Sequence, residues 1–239
     1  VNEVATPASG SLLDDLLEIF VAPSKVFERR RNSGYGMLML ILVVLTVLIS
    51  VATMSLTAPY WDAQFDLSMK LAAAKGQEMP AEATGPMART AGRWFGVLGG
   101  AIFVPIFVWL GGLFVLMGSK IAGANVSYKQ GALIFTLAGF PRLLAPIIMS
   151  VQSLMVTPES IRSFSDGALG PARFFDPLTT SPILLGVLGN FELTNLWAFA
   201  LVAIGIRVIG KVTMGTAVFA TALVFAFTLA LTLIPAALM

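Results

Sequence analysis

The chain has 239 residues, of which 57% are hydrophobic and only 12% charged, and its formal net charge is +2. A soluble domain of this length needs far more polar surface, so with a mean hydropathy of +0.87 the composition points to the bilayer. Neither cysteine nor histidine occurs, which excludes disulfides, thiolate nucleophiles, imidazole metal sites and every triad that needs a histidine.

The segment from Ser11 to Arg31 reads SLLDDLLEIFVAPSKVFERRR. Leu12, Leu13, Leu16, Leu17 and Phe20 recur at helical spacing opposite Asp14, Asp15 and Glu18, and Ser11 and Asp14 have the spacing of a capping box. Pro23 should break this helix, with Ser24 able to cap a second one that carries Val26, Phe27 and Arg29 to Arg31. One reading makes the segment an interfacial helix with its arginines as topological anchors. The other makes Leu13, Leu17, Phe20 and Phe27 a docking surface for a partner or for anionic lipid, although acids on the first helix argue against simple lipid adhesion. The acids before the apolar core also depart from the pattern of a cleavable secretory signal. Residues 1–35 are therefore read as a cytoplasmic segment with an amphipathic helix, and 36–239 as a membrane domain.

The first span is expected over about 37–57, an uncharged run long enough to cross the hydrocarbon core, with Tyr60 and Trp61 as interfacial aromatics behind it. Residues 58–93 read as a polar loop that mixes Asp62, Asp66, Lys70, Lys75, Glu78, Glu82 and Arg89, with room for a short surface helix from Trp61 to Lys75. The second span is expected over 94–117. Gly92, Gly96 and Gly100 form overlapping GxxxG motifs at its start, which allow close approach of another helix, in this chain or in a partner. The third, over 130–155, contains Pro141, Arg142 and Pro146 and should be bent or locally broken. A second long loop follows over 156–192. Its apolar piece, Ile183 to Leu188, is too short to cross and reads as interfacial or re-entrant. The last two spans are expected over 193–209 and 214–237. The fold class is thus all-α, a polytopic bundle of about five spans.

With five spans, Lys25, Arg29 to Arg31, Lys120, Lys129, Arg207 and Lys211 all fall on one side, and the opposite loops mix signs. The positive-inside rule places the N-terminus in the cytoplasm and the C-terminus outside. A sixth crossing would put Arg207 and Lys211 on the wrong face.

No phosphate-binding loop, dinucleotide fingerprint or metal-ligand cluster is legible, so neither an enzyme nor a cofactor is expected. Asp62, Asp66, Glu78 and Glu82 are read as solvated loop acids. Arg142 is the one ionisable residue deep in an expected span, where it costs about 2.5–3.5 kcal/mol on insertion scales. It either binds carbonyls freed by Pro141 and Pro146, or a loop acid, or it contacts a ligand or lipid headgroup in a cavity.

The Pro23-Ser24-x-x-Phe27 turn before the first span, Tyr128-Lys129-Gln130-Gly131-Ala132 with Phe140-Pro141, and Ile204-Gly205-Ile206-Arg207 with Gly210-Lys211-Val212-Thr213 together resemble the Yip1-domain membrane proteins, from about Leu12 onward. The resemblance implies a five-helix domain with a cytoplasmic N-terminus that organises other proteins. Eukaryotic members are linked to small GTPases and vesicle membranes, and some bacterial members accompany ABC-type exporters. The longer N-terminal region of eukaryotic members is not present here, which favours the bacterial type, in the inner membrane. The expected partners are the bilayer and other membrane proteins, ABC transporter subunits among them, and no nucleic acid. The alternatives are a small transporter or lipid-handling protein built around Arg142, and a membrane-shaping protein.

Because the chain is free of cysteine, its topology can be read with single substitutions. In intact bacterial cells a membrane-impermeant maleimide should label Thr180→Cys and spare Ser24→Cys; the reverse pattern overturns the orientation.

Overall fold

The computed structural model describes residues 11–77, 80 and 84–237, with side chains to 234; Glu78 and Glu82 lie outside the described residues. The helices are α1 (Leu12–Val21), α2 (Pro23–Arg30), α3 (Gly36–Ala74), α4 (Pro86–Ile121), α5 (Tyr128–Ala138), α6 (Leu144–Ser153), α7 (Pro182–Gly189), α8 (Leu193–Gly210) and α9 (Met214–Ala237). No strand occurs among the described residues. Five segments are long and apolar enough to cross a membrane: α3, α4, Tyr128–Ser153, α8 and Met214–Ile234. The all-α, polytopic fold is the one expected from the sequence. The 8-residue α7 is only about 12 Å long at 1.5 Å per residue, too short to cross.

The first long connection departs from the expected loop. α3 runs unbroken for 39 residues through Pro59, and α4 begins at Pro86, eight residues before the expected start. At 1.5 Å per residue these helices are roughly 58 and 54 Å long, against a hydrocarbon core of about 30 Å, so each continues beyond the membrane. The extensions are held by paired charges. Arg93 Nη2 donates to both carboxylate oxygens of Asp62 at 2.7 and 2.6 Å, and Arg89 donates to Asp66. The Arg89 guanidinium also lies 4.9 Å over the Phe65 ring. Asp62 and Asp66 are thus helix residues in ion pairs, not solvated loop acids. A proline and mixed charges made this stretch look like a loop; the pairing partners lie more than twenty residues away, beyond the reach of local pattern.

The chain forms two compact units, and α3 and α4 contribute to both. Unit 1 holds residues 1–41, 107–140 and 198–228. Its centre is α5, where every residue from Gly131 to Ala138 is buried. Small residues let neighbouring backbones approach: a Cβ on Gly112 would meet Ala132 Cα at 2.9 Å, and one on Gly131 would meet the Gly112 carbonyl oxygen at 2.6 Å. A Cβ on Gly118 would come within 2.7 Å of the Ala220 carbonyl oxygen of α9.

Unit 2 holds residues 42–106, 141–197 and 229–239. Its second long connection is a folded segment of 3₁₀ turns at Pro158–Ser160, Phe164–Gly167 and Pro171–Phe174. Ile161 and Phe164 pack on Tyr60, Ala63 and Met149. Tyr60, expected at the membrane interface, is only 1% exposed in this cluster, because the folded connection covers it. Trp61 meets Phe164 edge-to-face at 4.6 Å. α7 is tied to the end of α9 by Asn190 Nδ2, which donates to Thr232 Oγ1 at 3.2 Å.

Adding one methyl where backbones touch overpacks the core by about 1–3 kcal/mol. Gly131→Ala and Gly112→Ala should therefore lower the apparent Tm in detergent by several degrees. Gly92→Ala, whose Cβ would meet nothing within 4 Å, should leave it unchanged or raise it slightly.

Candidate functional site

The N-terminal hairpin turns the expected amphipathic helix partly inside out. α1 opens with a complete capping box: Ser11 Oγ accepts from Asp14 N at 3.1 Å, and Asp14 Oδ2 accepts from Ser11 N at 2.9 Å. These bonds to Ser11, hydroxyl first, hold the Asp14 carboxyl below its ordinary value. Pro23 opens α2 as its first residue, where a missing N–H costs nothing; Ser24 lies inside the helix and is not its cap. Asp15, placed by sequence on the polar face, is completely buried.

Burying a carboxylate is expensive unless charge and hydrogen bonds compensate it. Here Asp15 Oδ1 accepts from Arg29 Nε at 2.9 Å and from Arg29 Nη2, while Oδ2 accepts from Arg30 Nε. Arg29 Nη2 also donates to Glu18 Oε2 at 2.7 Å. Asp15 and then Glu18 raise the Arg29 pKa, so the guanidinium stays charged throughout the accessible range. Ile19, Val26 and Phe27 complete the inner face at 0% exposure. A Cβ on Gly205 of α8 would meet the Phe27 ring at 3.1 Å, so the hairpin is docked in unit 1. Gln130 Nε2 donates to the Arg31 carbonyl oxygen at 3.4 Å and ties down its end. With Asp15 turned inward, Leu13, Leu17 and Val21 form an open stripe, 72–82% exposed, and Phe20 lies half-buried beside it.

Arg142 sits in the 3₁₀ turn Phe140–Leu143 that joins α5 to α6. Pro141 is the second residue of that turn and Pro146 the third of α6, so both occupy first turns whose N–H groups would lack intrahelical partners anyway. The expected break in the third span is present and is cheap for that reason. The half-buried guanidinium donates to Asn195 Oδ1 from Nε at 3.2 Å and Nη2 at 2.8 Å. Asn195 Nδ2 in turn donates to the Asn190 carbonyl oxygen at 2.8 Å. The Asn195 partner, 53 residues away, was not anticipated; only the pairing of an intramembrane cation with some carbonyl group was legible.

Of the GxxxG residues, Gly96 faces Trp61, whose ring would stand 2.2 Å from a Cβ there. Gly100 faces Thr46 Cγ2 at 3.2 Å, and Gly92 faces open space. Unit 2 also contains a cleft of about 600 Å³ beside Pro59, lined by Asp62, Asp66 and Lys70 of α3 and by Glu159, Arg162 and Asp176 of the folded connection. Arg162 is paired with Asp166 at 2.7 Å, which raises its pKa. Among the described residues no group of His, Cys, Asp or Glu could hold a metal ion.

The buried Asp15 carboxylate predicts a direct test. Asp15→Ala leaves Arg29 and Arg30 without their shared acceptor. Because those arginines are 20% exposed and Arg29 keeps Glu18, the cost should be about 1–3 kcal/mol, below the 3–5 of a fully buried pair. Faster amide exchange confined to α1 and α2 is the expected readout.

No curated protein and no solved structure matches the chain. The family model described as the Yip1 domain matches residues 17–234, from the middle of α1 almost to the end of α9. That match takes in the second half of α1, α2, all five spans and the folded connection, so the chain belongs to the Yip1 domain family of multi-pass membrane proteins.

Proposed function

We propose that this protein is a non-enzymatic accessory subunit of a complex in a bacterial cytoplasmic membrane, and that the complex is an ABC-type exporter. The observation that carries the reading is the unequal burial of its spans. In the most apolar windows, 61% and 50% of the third and fourth spans are buried, against 11% for α3 and 22% each for α4 and the last span. Two spans thus act as the internal core and three present most of their surface outward. Val44, Leu48 and Val51 form one such stripe on α3, and Phe95, Leu98 and Ile102 another on α4, each at helical spacing. Such faces suit packing against the helices of another membrane protein, which relies on shape and dispersion, not on charge.

Four of the chain's arginines fit the same view. Arg29, Arg89, Arg93 and Arg162 are all taken up in internal pairs. The transporter reading draws less support, since the Arg142 guanidinium is engaged by Asn195 and the cleft of about 600 Å³ is lined by residues 55–70, 158–162 and 176–178.

A photo-crosslinking residue at Leu48 or Leu98 of the native-level protein should give adducts with exporter permease or ATPase subunits. The same residue at Leu133, fully buried, should give none. Adducts with lipid alone, or with no transporter subunit, overturn the exporter reading.

A further inference from the structure

We propose that unit 1 carries a binding surface for anionic phospholipid headgroups, on which α1 lies with Leu13, Leu17 and Val21 in the acyl boundary.

The charge pattern is the first support. Lys25, Arg31, Lys120, Lys129, Arg207 and Lys211 are all exposed, and none forms an ion pair among the described residues. They belong to α2 and to the short connections of unit 1, which are in mutual contact. Gln130 bonds to the Arg31 carbonyl oxygen, and a Cβ on Gly210 would meet Val126 at 3.2 Å and Ala124 at 3.5 Å. The cations therefore share one end of the unit.

Helix electrostatics explains only part of this set. Lys120 and Arg207 lie in the last turns of α4 and α8, where the macrodipole favours a cation. Lys129 lies in the first turn of α5, where it does not. Lys25 likewise lies in the first turn of α2, whereas Lys211 directly follows α8. Lys25 and Lys129 thus stand where the macrodipole disfavours a cation, which points to an external anion.

The acids of α1 are the obvious objection, and the hairpin reduces it. Asp15 and Glu18 are paired with Arg29 and Arg30, which leaves Asp14, charged and exposed in the capping box, as the one unpaired acid of α1. What α1 presents outward is the leucine–valine stripe, next to a surface where the six unpaired cations outnumber the exposed carboxylates of Asp14 and Glu28. An apolar stripe flanked by exposed cations is the complement of an anionic leaflet: side chains enter the acyl boundary while ammonium and guanidinium groups stay at headgroup level.

The test uses the full chain in lipid nanodiscs, where both faces are open and orientation does not matter. In discs of phosphatidylcholine and phosphatidylglycerol, native mass spectrometry of the released protein should find phosphatidylglycerol retained several-fold above its share. Each neutralised cation should lower that preference in part at low salt. Lys120→Gln, Lys129→Gln, Arg207→Gln and Lys211→Gln combined should abolish it, and Lys70→Gln with Arg173→Gln in unit 2 should not change it. Retention in proportion to the mixture, or the same loss from both variants, overturns the proposal. If the fourfold variant does not fold, salt decides on the wild type: selection must weaken several-fold at high ionic strength, and salt-independent selection overturns the proposal. An environment-sensitive fluorophore on Leu17→Cys should be quenched by bromine on the lipid tails. Solvent-like emission there also overturns the proposal, and leaves the stripe and its cations to an acidic protein partner.

Discussion

Hydrocarbon offers a polypeptide no hydrogen-bond partner, and each backbone group left unpaired there costs several kcal/mol. Every span must therefore satisfy its own polar groups, and the placement of its hydroxyls and of Pro141 and Pro146 follows from that constraint, whereas Pro59 and Pro105 lie inside α3 and α4. Pro141 and Pro146 sit in first turns, where no intrahelical bond is lost. Threonine hydroxyls inside the spans donate back to carbonyls four residues earlier, as Thr46 does to Leu42, Thr136 to Ala132 and Thr221 to Ala217, all within 2.8 Å. Arg142, the charge most exposed to this cost, is answered by the Asn195 side chain at the start of α8.

Charge outside the spans is handled in two ways. In unit 2, arginines and acids form internal pairs that lengthen α3 and α4 and organise the folded connection. Among the described residues of unit 1, the ion pairs lie in the hairpin, where one buried carboxylate gathers two arginines. The basic residues of its short connections remain open to solvent or headgroups. Family membership and five apolar helices long enough to span make this a multi-pass membrane protein.

Much of this fold is legible in the order of residues. Long uncharged runs mark the spans because about 20 apolar residues match the hydrocarbon thickness, and the paired prolines around Arg142 mark the broken third span. The Ser11–Asp14 capping box is legible because both partners lie within one turn. The long α3 and α4 are not. A short surface helix from Trp61 to Lys75 is legible, but its continuity with the first span through Pro59 and its pairing with Arg89 and Arg93 on the facing helix are not. The inward turn of Asp15 is equally hidden. Periodicity assigns a carboxylate to the wet face unless two arginines fourteen and fifteen residues on are known to meet it.

What the sequence by itself determined is therefore what composition and local spacing control: helical class, number of spans and the break in the third span. Hydrophobic thickness and backbone satisfaction leave a chain of this composition little choice. The tertiary structure alone decided which polar residues find each other. It buried Asp15, paired Asp62 and Asp66, seated Arg142 on Asn195, and so left Leu13, Leu17 and Val21 as the open face of α1. Those outcomes depend on groups brought together from distant parts of the chain, and no local pattern encodes their distance.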